Sequence, residues 1–372
     1  VAETDTLLET PLAGLHRALG GRMVAFAGYA MPVQYQAGIM AEHLHVRSAA
    51  GLFDVSHMGQ AELVGANGVQ DAAAALERVT PADVQALKPG RQRYGLLMTP
   101  EGGIFDDFMV ANLGDRLLLV VNASRKHDDF DLVESVLPAG VCLNRLPDRA
   151  LLALQGPGAA PAMEPVAPAL TALSFMGITK AEIGGIPVIA SRSGYTGEDG
   201  WEIGAPAESA EALAKHLLSL PGVQPTGLGA RDSLRLEAGL CLYGTDIDES
   251  TSPVEAALTW SIGKRRRMAW DFPGAERVRE ELANGTARVR VGLRPEGRQP
   301  ARGETMIHAP GGETIGSVTS GGFGPSLGAP MAMGYVARPH ATDGTPIELI
   351  VRGRPLAARI APMPFVPHCY AR

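Results

Sequence analysis

Cysteine is scarce in this chain: Cys142, Cys241 and Cys369 are three in 372 residues, odd in number and far apart. No CxxC or related spacing joins them, which excludes a disulfide framework or a thiolate metal site and points to a reducing compartment. Long apolar runs are missing too, since nothing approaches the roughly 18 unbroken residues of a membrane-spanning helix. A surplus of positive charge is absent. With 33 Lys and Arg against 40 Asp and Glu, the net charge is −7, which argues against a general nucleic-acid or anionic-membrane binder. No Gly-rich βαβ fingerprint opens the chain, so a dinucleotide- or flavin-binding first domain is not indicated. The opening Val1-Ala2-Glu3-Thr4-Asp5 is acidic and has neither a signal-peptide nor an Arg-rich transit pattern. It also lacks an initiator Met, which leaves a processed presequence open.

What is present is ordinary soluble-protein composition, 45% hydrophobic and 20% charged, with no internal repeat. The 45 glycines and 28 prolines demand many turns, as β-rich architecture does. The length suits two or three domains with cores of their own. Changes of pattern divide the chain into a mixed α/β domain over 1–147, an α+β, ferredoxin-like domain over 148–275, and a β domain over 276–372. The fold class expected is therefore α+β with a β-rich C-terminal domain.

The most informative stretch is Gly102-Gly103-Ile104-Phe105-Asp106-Asp107-Phe108-Met109-Val110. The Gly pair marks a turn, and the apolar residues after it read as a strand that pairs with 93–98 in a hairpin. Alternation puts Phe105, Asp107 and Met109 on one face and Ile104, Asp106, Phe108 and Val110 on the other. Each mostly apolar face thus carries one carboxylate. One buried, partnered acid awaiting a cationic or proton-donating ligand is one reading; two edge-strand aspartates in water is the other. Alternation does not choose between them.

Elsewhere, helices are expected near 12–19, 39–49, 71–79, 129–137, 159–167, 209–220 and 230–239, and strands over 116–121, 150–155 and 186–191. On the helix over 230–239, Arg231 and Arg235 lie one turn apart, as ligand-binding groups or as solvated charges. His43 and His45 on one helix point to different faces and suggest no metal site. The basic run Lys264-Arg265-Arg266-Arg267 reads as a solvated linker or as a docking point for an acidic partner. GGFGPSLG over 321–328 is a β-turn region, because a Pro interrupts it and no acidic partner stands at the right distance.

Several of these motifs, in order and over nearly the whole chain, resemble the folate-dependent aminomethyltransferase family, the T-proteins of the glycine cleavage system. They are GLFDVSHMG (51–59), GGIFDDFMV (102–110), LLALQGP (151–157), GYTGEDGWEI (194–203), ARDSLRLEAGLCLYGTDID (230–248) and MPFVP (363–367). The resemblance implies a three-domain cloverleaf around a central tetrahydrofolate channel. It implies transfer of the methylene of an aminomethyl group from the lipoyl arm of the H-protein to tetrahydrofolate, a co-substrate. The products are 5,10-methylenetetrahydrofolate, ammonia and the dihydrolipoyl carrier. Asp107 matches the acid that meets the folate, with Asp106 structural. Tyr94 and Asn122 match positions beside the folate, and Tyr195 a tyrosine of the channel. Glu202 is similar to the pterin-binding acid and Arg231 to a ligand-contacting arginine; Tyr370 and Met58 match further contacts. Some relatives have an aromatic residue where this chain has Ala111, so that wall is expected to be roomier. The setting implied is the cytoplasm of a bacterium, toward which the Lys-poor, Ala- and Gly-rich composition leans, or the mitochondrial matrix of a eukaryote. No metal is implied.

Three other readings compete. A demethylase of sulfonium compounds shares the fold. A folate-linked amine oxidase needs a flavin domain. A non-enzymatic folate-binding assembly factor carries a Cys-containing motif where this chain has Gly194-Tyr195-Thr196-Gly197-Glu198.

Overall fold

The computed structural model describes residues 7–371; Val1 to Asp5 lie outside them. The alternating Asp-Asp stretch forms the strand Ile104–Asn112 and pairs antiparallel with Arg91–Met98, as the hairpin pattern demands. At the turn Gly102 adopts φ +83°, and a Cβ on Gly103 would stand 1.7 Å from the Glu249 carbonyl oxygen. Both glycines are therefore required, one for its backbone angle and one for close approach.

This hairpin begins a five-stranded sheet, continued in space by Leu117–Val121, Gly59–Gly65 and Val141–Arg145. Its inner face packs on the helices Val69–Leu76 and Lys126–Ser135 through Leu63, Leu76, Phe108, Val110, Leu119 and Phe130. A second sheet runs Ile178–Ile183, Ile186–Arg192, Gly200–Pro206, Arg149–Gln155, Ala50–Asp54 and Val223–Pro225. Helices at Ala159–Met163 and Ala210–Leu218 cover it around Trp201. From Arg288 the strands close into a six-stranded barrel. The segment 321–328 is the end of its Thr314–Gly324 strand and the turn into Ala329–Ala337.

The sheets do not divide the chain at residue 148. Ala50–Asp54 from the first segment pairs with Arg149–Gln155, and Leu12 and Leu15 belong to the core of the second sheet. Val278, beyond the expected boundary at 275, packs with Leu96 and Met98 of the first sheet. Local composition does not register such pairings, which depend on where a strand finds unsatisfied backbone partners.

The basic run is a correction as well. Lys264–Ala269 is a helix, not a solvated linker. Arg265 pairs with Glu77 and Asp83, and the buried Arg266 with Glu77 and Asp271. Two of its four charges are thus used to clamp it to the first domain.

Candidate functional site

The two aspartates separate as alternation requires. Asp106 is fully buried on the core face, whereas Asp107 stands on the half-open face with Phe105 and Met109. Tyr94 faces Met109 across the hairpin, so its side chain lies diagonally beside Asp107. Its hydroxyl donates to Asp107 Oδ2 at 2.9 Å. On the other side Phe108 pairs with Val121, so the next residue, Asn122, meets Asp107. Asn122 Nδ2 donates to Asp107 Oδ1 at 2.6 Å and to Asp106 Oδ1 at 2.8 Å. Trp260, largely exposed, leans on the Tyr94 ring with 5.2 Å between centroids.

Asp107 is therefore held from two sides, yet its proton affinity is high. Burial, and next the charge of Asp106, push it up to about 7, against the opposing bonds from Tyr94 and Asn122. A carboxyl that is half-ionised near neutrality can accept or release a proton, and when ionised it can stabilise a nearby cation.

The second sheet supplies the opposite wall. Glu202 sits between Ala153 and Ser191 on the neighbouring strands. Its carboxylate receives one long bond, from Ser193 Oγ at 3.3 Å. Burial raises its proton affinity, with Arg231 and Ser193 opposing. Arg231, on the helix Leu228–Glu237, lays its guanidinium over the Tyr195 ring at 4.8 Å. Its Nη1 is buried without a hydrogen-bond partner, and burial lowers its pKa while Glu202 and Tyr195 raise it. The Tyr195 hydroxyl donates to the Cys241 carbonyl. That hydroxyl feels the charges of both Asp107 and Arg231.

Between the sheets lies a small cavity of about 20 Å³, bordered by Met109, Ala111, Val120, Ser191 and Glu202. Ala111 is on its wall, so the small side chain leaves space there. Met58 packs near Val120 on an adjoining apolar cluster. Tyr370 stacks on Phe175 at 4.2 Å and lies beside His368, on the C-terminal tail bound to Gly197. No hydrogen bond or ring contact joins it to Asp107, Glu202 or Arg231 among the described residues. Nor is any group of three or more His, Cys, Asp or Glu side chains among them placed to hold a metal.

Sequence reasoning missed Trp260, Ser193 and Asp129. Asp129 was expected only as a helix start, but it is buried against Asp106. A charged residue on the inner face of an otherwise amphipathic helix was the available signal.

Two family models match. The GCVT N-terminal domain spans residues 12–266 and the glycine cleavage T-protein C-terminal barrel domain residues 288–367. The mitochondrial aminomethyltransferase of Gallus gallus is 46% identical over 375 residues, covering 98% of this chain and 94% of that one. The Homo sapiens protein of that name is 44% identical over 375 residues, covering 98% and 92%. The crystal structure of the glycine cleavage system aminomethyltransferase T from Bartonella henselae superposes with a TM-score of 0.92 at 42% identity. It covers 99% of this chain and 100% of its own. With both family models in sequence order and full-length relatives at this identity, the chain belongs to the glycine cleavage T-protein family of aminomethyltransferases.

Proposed function

We propose that the acceptor in this aminomethyl transfer is tetrahydrofolate, and that the donor is the S-aminomethyldihydrolipoyl arm of a lipoylated H-protein. The products are then 5,10-methylenetetrahydrofolate, ammonia and the dihydrolipoyl carrier. One observation carries the reading: Glu202 and Arg231 are enclosed, oppositely charged and both short of partners. Glu202 has a single long donor, and Arg231 Nη1 has no acceptor. Groups so buried are costly unless a ligand completes them. A reduced pterin offers N–H and amino donors to a carboxylate, in charge-assisted bonds. It also offers ring acceptors to a guanidinium. Tyr195, Met58 and Val120 add flat or apolar surface beside them.

Asp107 is the catalytic residue in this reading. Positive charge develops on the carbon being transferred as ammonia departs, and an ionised carboxylate held by Tyr94 and Asn122 stabilises it without reorganising. Near neutrality the same group can take up or orient a proton. Enclosure between the sheets keeps water from the reactive carbon. For Tyr370 as a folate contact the support is the family resemblance alone. We place the reaction in the cytoplasm of a bacterium or the matrix of a mitochondrion; three free cysteines suit either setting. No helix among the described residues is long and apolar enough to cross a membrane.

Calorimetric titration with tetrahydrofolate tests the reading. Glu202→Gln and Arg231→Met should each weaken binding by roughly tenfold or more, the usual loss of a charge-assisted bond. Unchanged affinity in both variants contradicts it. Turnover with lipoylated H-protein, but not with sulfonium methyl donors, is the companion expectation.

A further inference from the structure

Behind Asp107 lies a second carboxyl pair that the reaction as described does not use. Asp106 and Asp129 are both fully buried, one on the strand and the other on the helix Lys126–Ser135, and their carboxyl groups face one another. Asp106 Oδ1 accepts from Asn122 Nδ2 and from the Asp107 backbone N–H, both at 2.8 Å. Asp106 Oδ2 and both oxygens of Asp129 meet no N–H or hydroxyl donor among the described residues. Two ionised carboxylates in contact and away from water cannot coexist at neutral pH, so the pair holds a proton. The donors decide which member carries it. Asp106 already accepts two N–H bonds and is the ionised one, while Asp129 accepts none and is the acid.

We propose that Asp129 is a positioning residue, a neutral carboxylic acid that donates to Asp106 Oδ2. It thereby holds the Asp106 carboxylate where it fixes both the Asn122 amide and the strand N–H of Asp107. Asn122 Nδ2 then turns its remaining hydrogen to Asp107, toward Oδ1 at 2.6 Å with the Asp107 carbonyl oxygen at 3.2 Å. Asp129 thus orients the catalytic carboxylate through two intervening groups and adds no negative charge of its own.

The other charged and titratable groups around the pair agree with one bound proton. Arg125, the residue that caps the start of the Asp129 helix, is the cation within electrostatic reach of both acids. It is already engaged by Asp128 at 3.2 Å and Glu249 at 2.9 Å, and it lies over the Phe105 and Tyr243 rings. Its Nε is buried without a partner, yet it makes no hydrogen bond or ion pair with Asp106 or Asp129 among the described residues, so its charge reaches the pair only through space. Tyr243 and Asp107 also face the pair. Tyr243 is raised first by burial, then by acids that include Asp106 and Asp129, and a full charge on Asp129 would also oppose ionisation of Asp107.

The test uses the whole enzyme, and its activity arm rests on the reading of Asp107 above. Asp129→Asn keeps a neutral donor toward Asp106. Its rate, and the pH at which kcat/KM falls on the acid side, should match wild type within about twofold and a few tenths of a pH unit. Asp129→Leu removes the donor. Asp106 then takes up a proton, so kcat should fall on the order of tenfold and the acid limb should move to lower pH. The KM for tetrahydrofolate should hold, since Glu202 and Arg231 are untouched. Infrared difference spectra supply a readout independent of activity: a protonated-carboxyl C=O stretch of wild type at pH 8 should vanish in Asp129→Asn and persist in Asp107→Asn. If Asp129→Leu does not fold, the Asn variant and the infrared band decide alone. A lost band with unaltered rates from a catalytically dispensable Asp107 would overturn the role of Asp107 but not the proton on Asp129. A missing wild-type band, or an acid limb lowered by about one unit in Asp129→Asn, makes Asp129 an ionised group and overturns the proposal. So does an Asp129→Leu enzyme with wild-type kcat and pH profile.

Discussion

Arg231 and Arg235 occupy one helix, one turn apart, and the sequence treats them alike. Their surroundings do not. Arg235 is buried and fully engaged: it bonds Asp232 at 2.8 Å, Asp246 at 2.7 Å and Ser320 of the barrel at 3.0 Å. Arg231 is enclosed but short of acceptors, with Nη1 bare and Glu202 and the Tyr195 ring as its companions. The first arrangement is complete without any other molecule and joins the barrel to the middle of the protein. The second lacks an acceptor, as a group that a ligand completes would. A buried charge with every partner present speaks for architecture; one with a partner missing speaks for binding.

Substituting each arginine is the sharpest way to break this contrast. Arg235→Met strands the buried Asp246 and should cost about 3–5 kcal/mol in denaturant unfolding. Arg231→Met relieves an unpartnered buried cation and should change stability by less than about 1 kcal/mol while weakening tetrahydrofolate binding. Equal destabilisation by the two would erase the distinction.

Asp107 extends the contrast to pH. Its folded-state proton affinity lies above the unfolded value, so its contribution favours folding most below pH 4 and is withdrawn as pH climbs through about 7. Asp107→Asn removes that penalty. It should gain about 1–3 kcal/mol over wild type at pH 8 and almost nothing at pH 4, measured by urea unfolding at the two values. A gain at pH 4 and none at pH 8 would reverse the assigned shift. The smallest effect is expected at Ala111. Because that residue is buried beside Leu118 and Ile178 and borders only a small cavity, Ala111→Val should take up that space and alter stability by no more than about 1 kcal/mol. A loss of 3 kcal/mol would mean the space is not there.

How much of this was legible depended on the range of the interaction. The Asp-Asp hairpin was readable because alternation and a Gly turn are local, and they placed Asp107 and Asp106 on opposite faces. The barrel was readable from its short strands and turn residues. Which aspartate faces the site was not settled by alternation, since both faces are mostly apolar; the family resemblance supplied that choice, and the half-open setting of Asp107 agrees with it. The basic run misled because Arg265 and Arg266 find Glu77 almost 190 residues away, and no local pattern encodes that meeting. The same holds for Ala50–Asp54 crossing into the second sheet. It holds also for Asp129, whose meaning appears only when its helix lies on the Asp-Asp strand. Arg231 and Arg235 show the limit most plainly, with equal spacing on the helix and different partners in the fold.

The most direct measurement is the single-turnover rate of aminomethyl transfer by Asp107→Asn, with tetrahydrofolate affinity determined in the same preparation. The expected result is a rate lower by on the order of 10²-fold or more with binding nearly unchanged, because a group acting on the reacting carbon is lost while the Glu202–Arg231 end stays intact. A variant that transfers at the wild-type rate would contradict the assignment of Asp107 as the catalytic carboxylate.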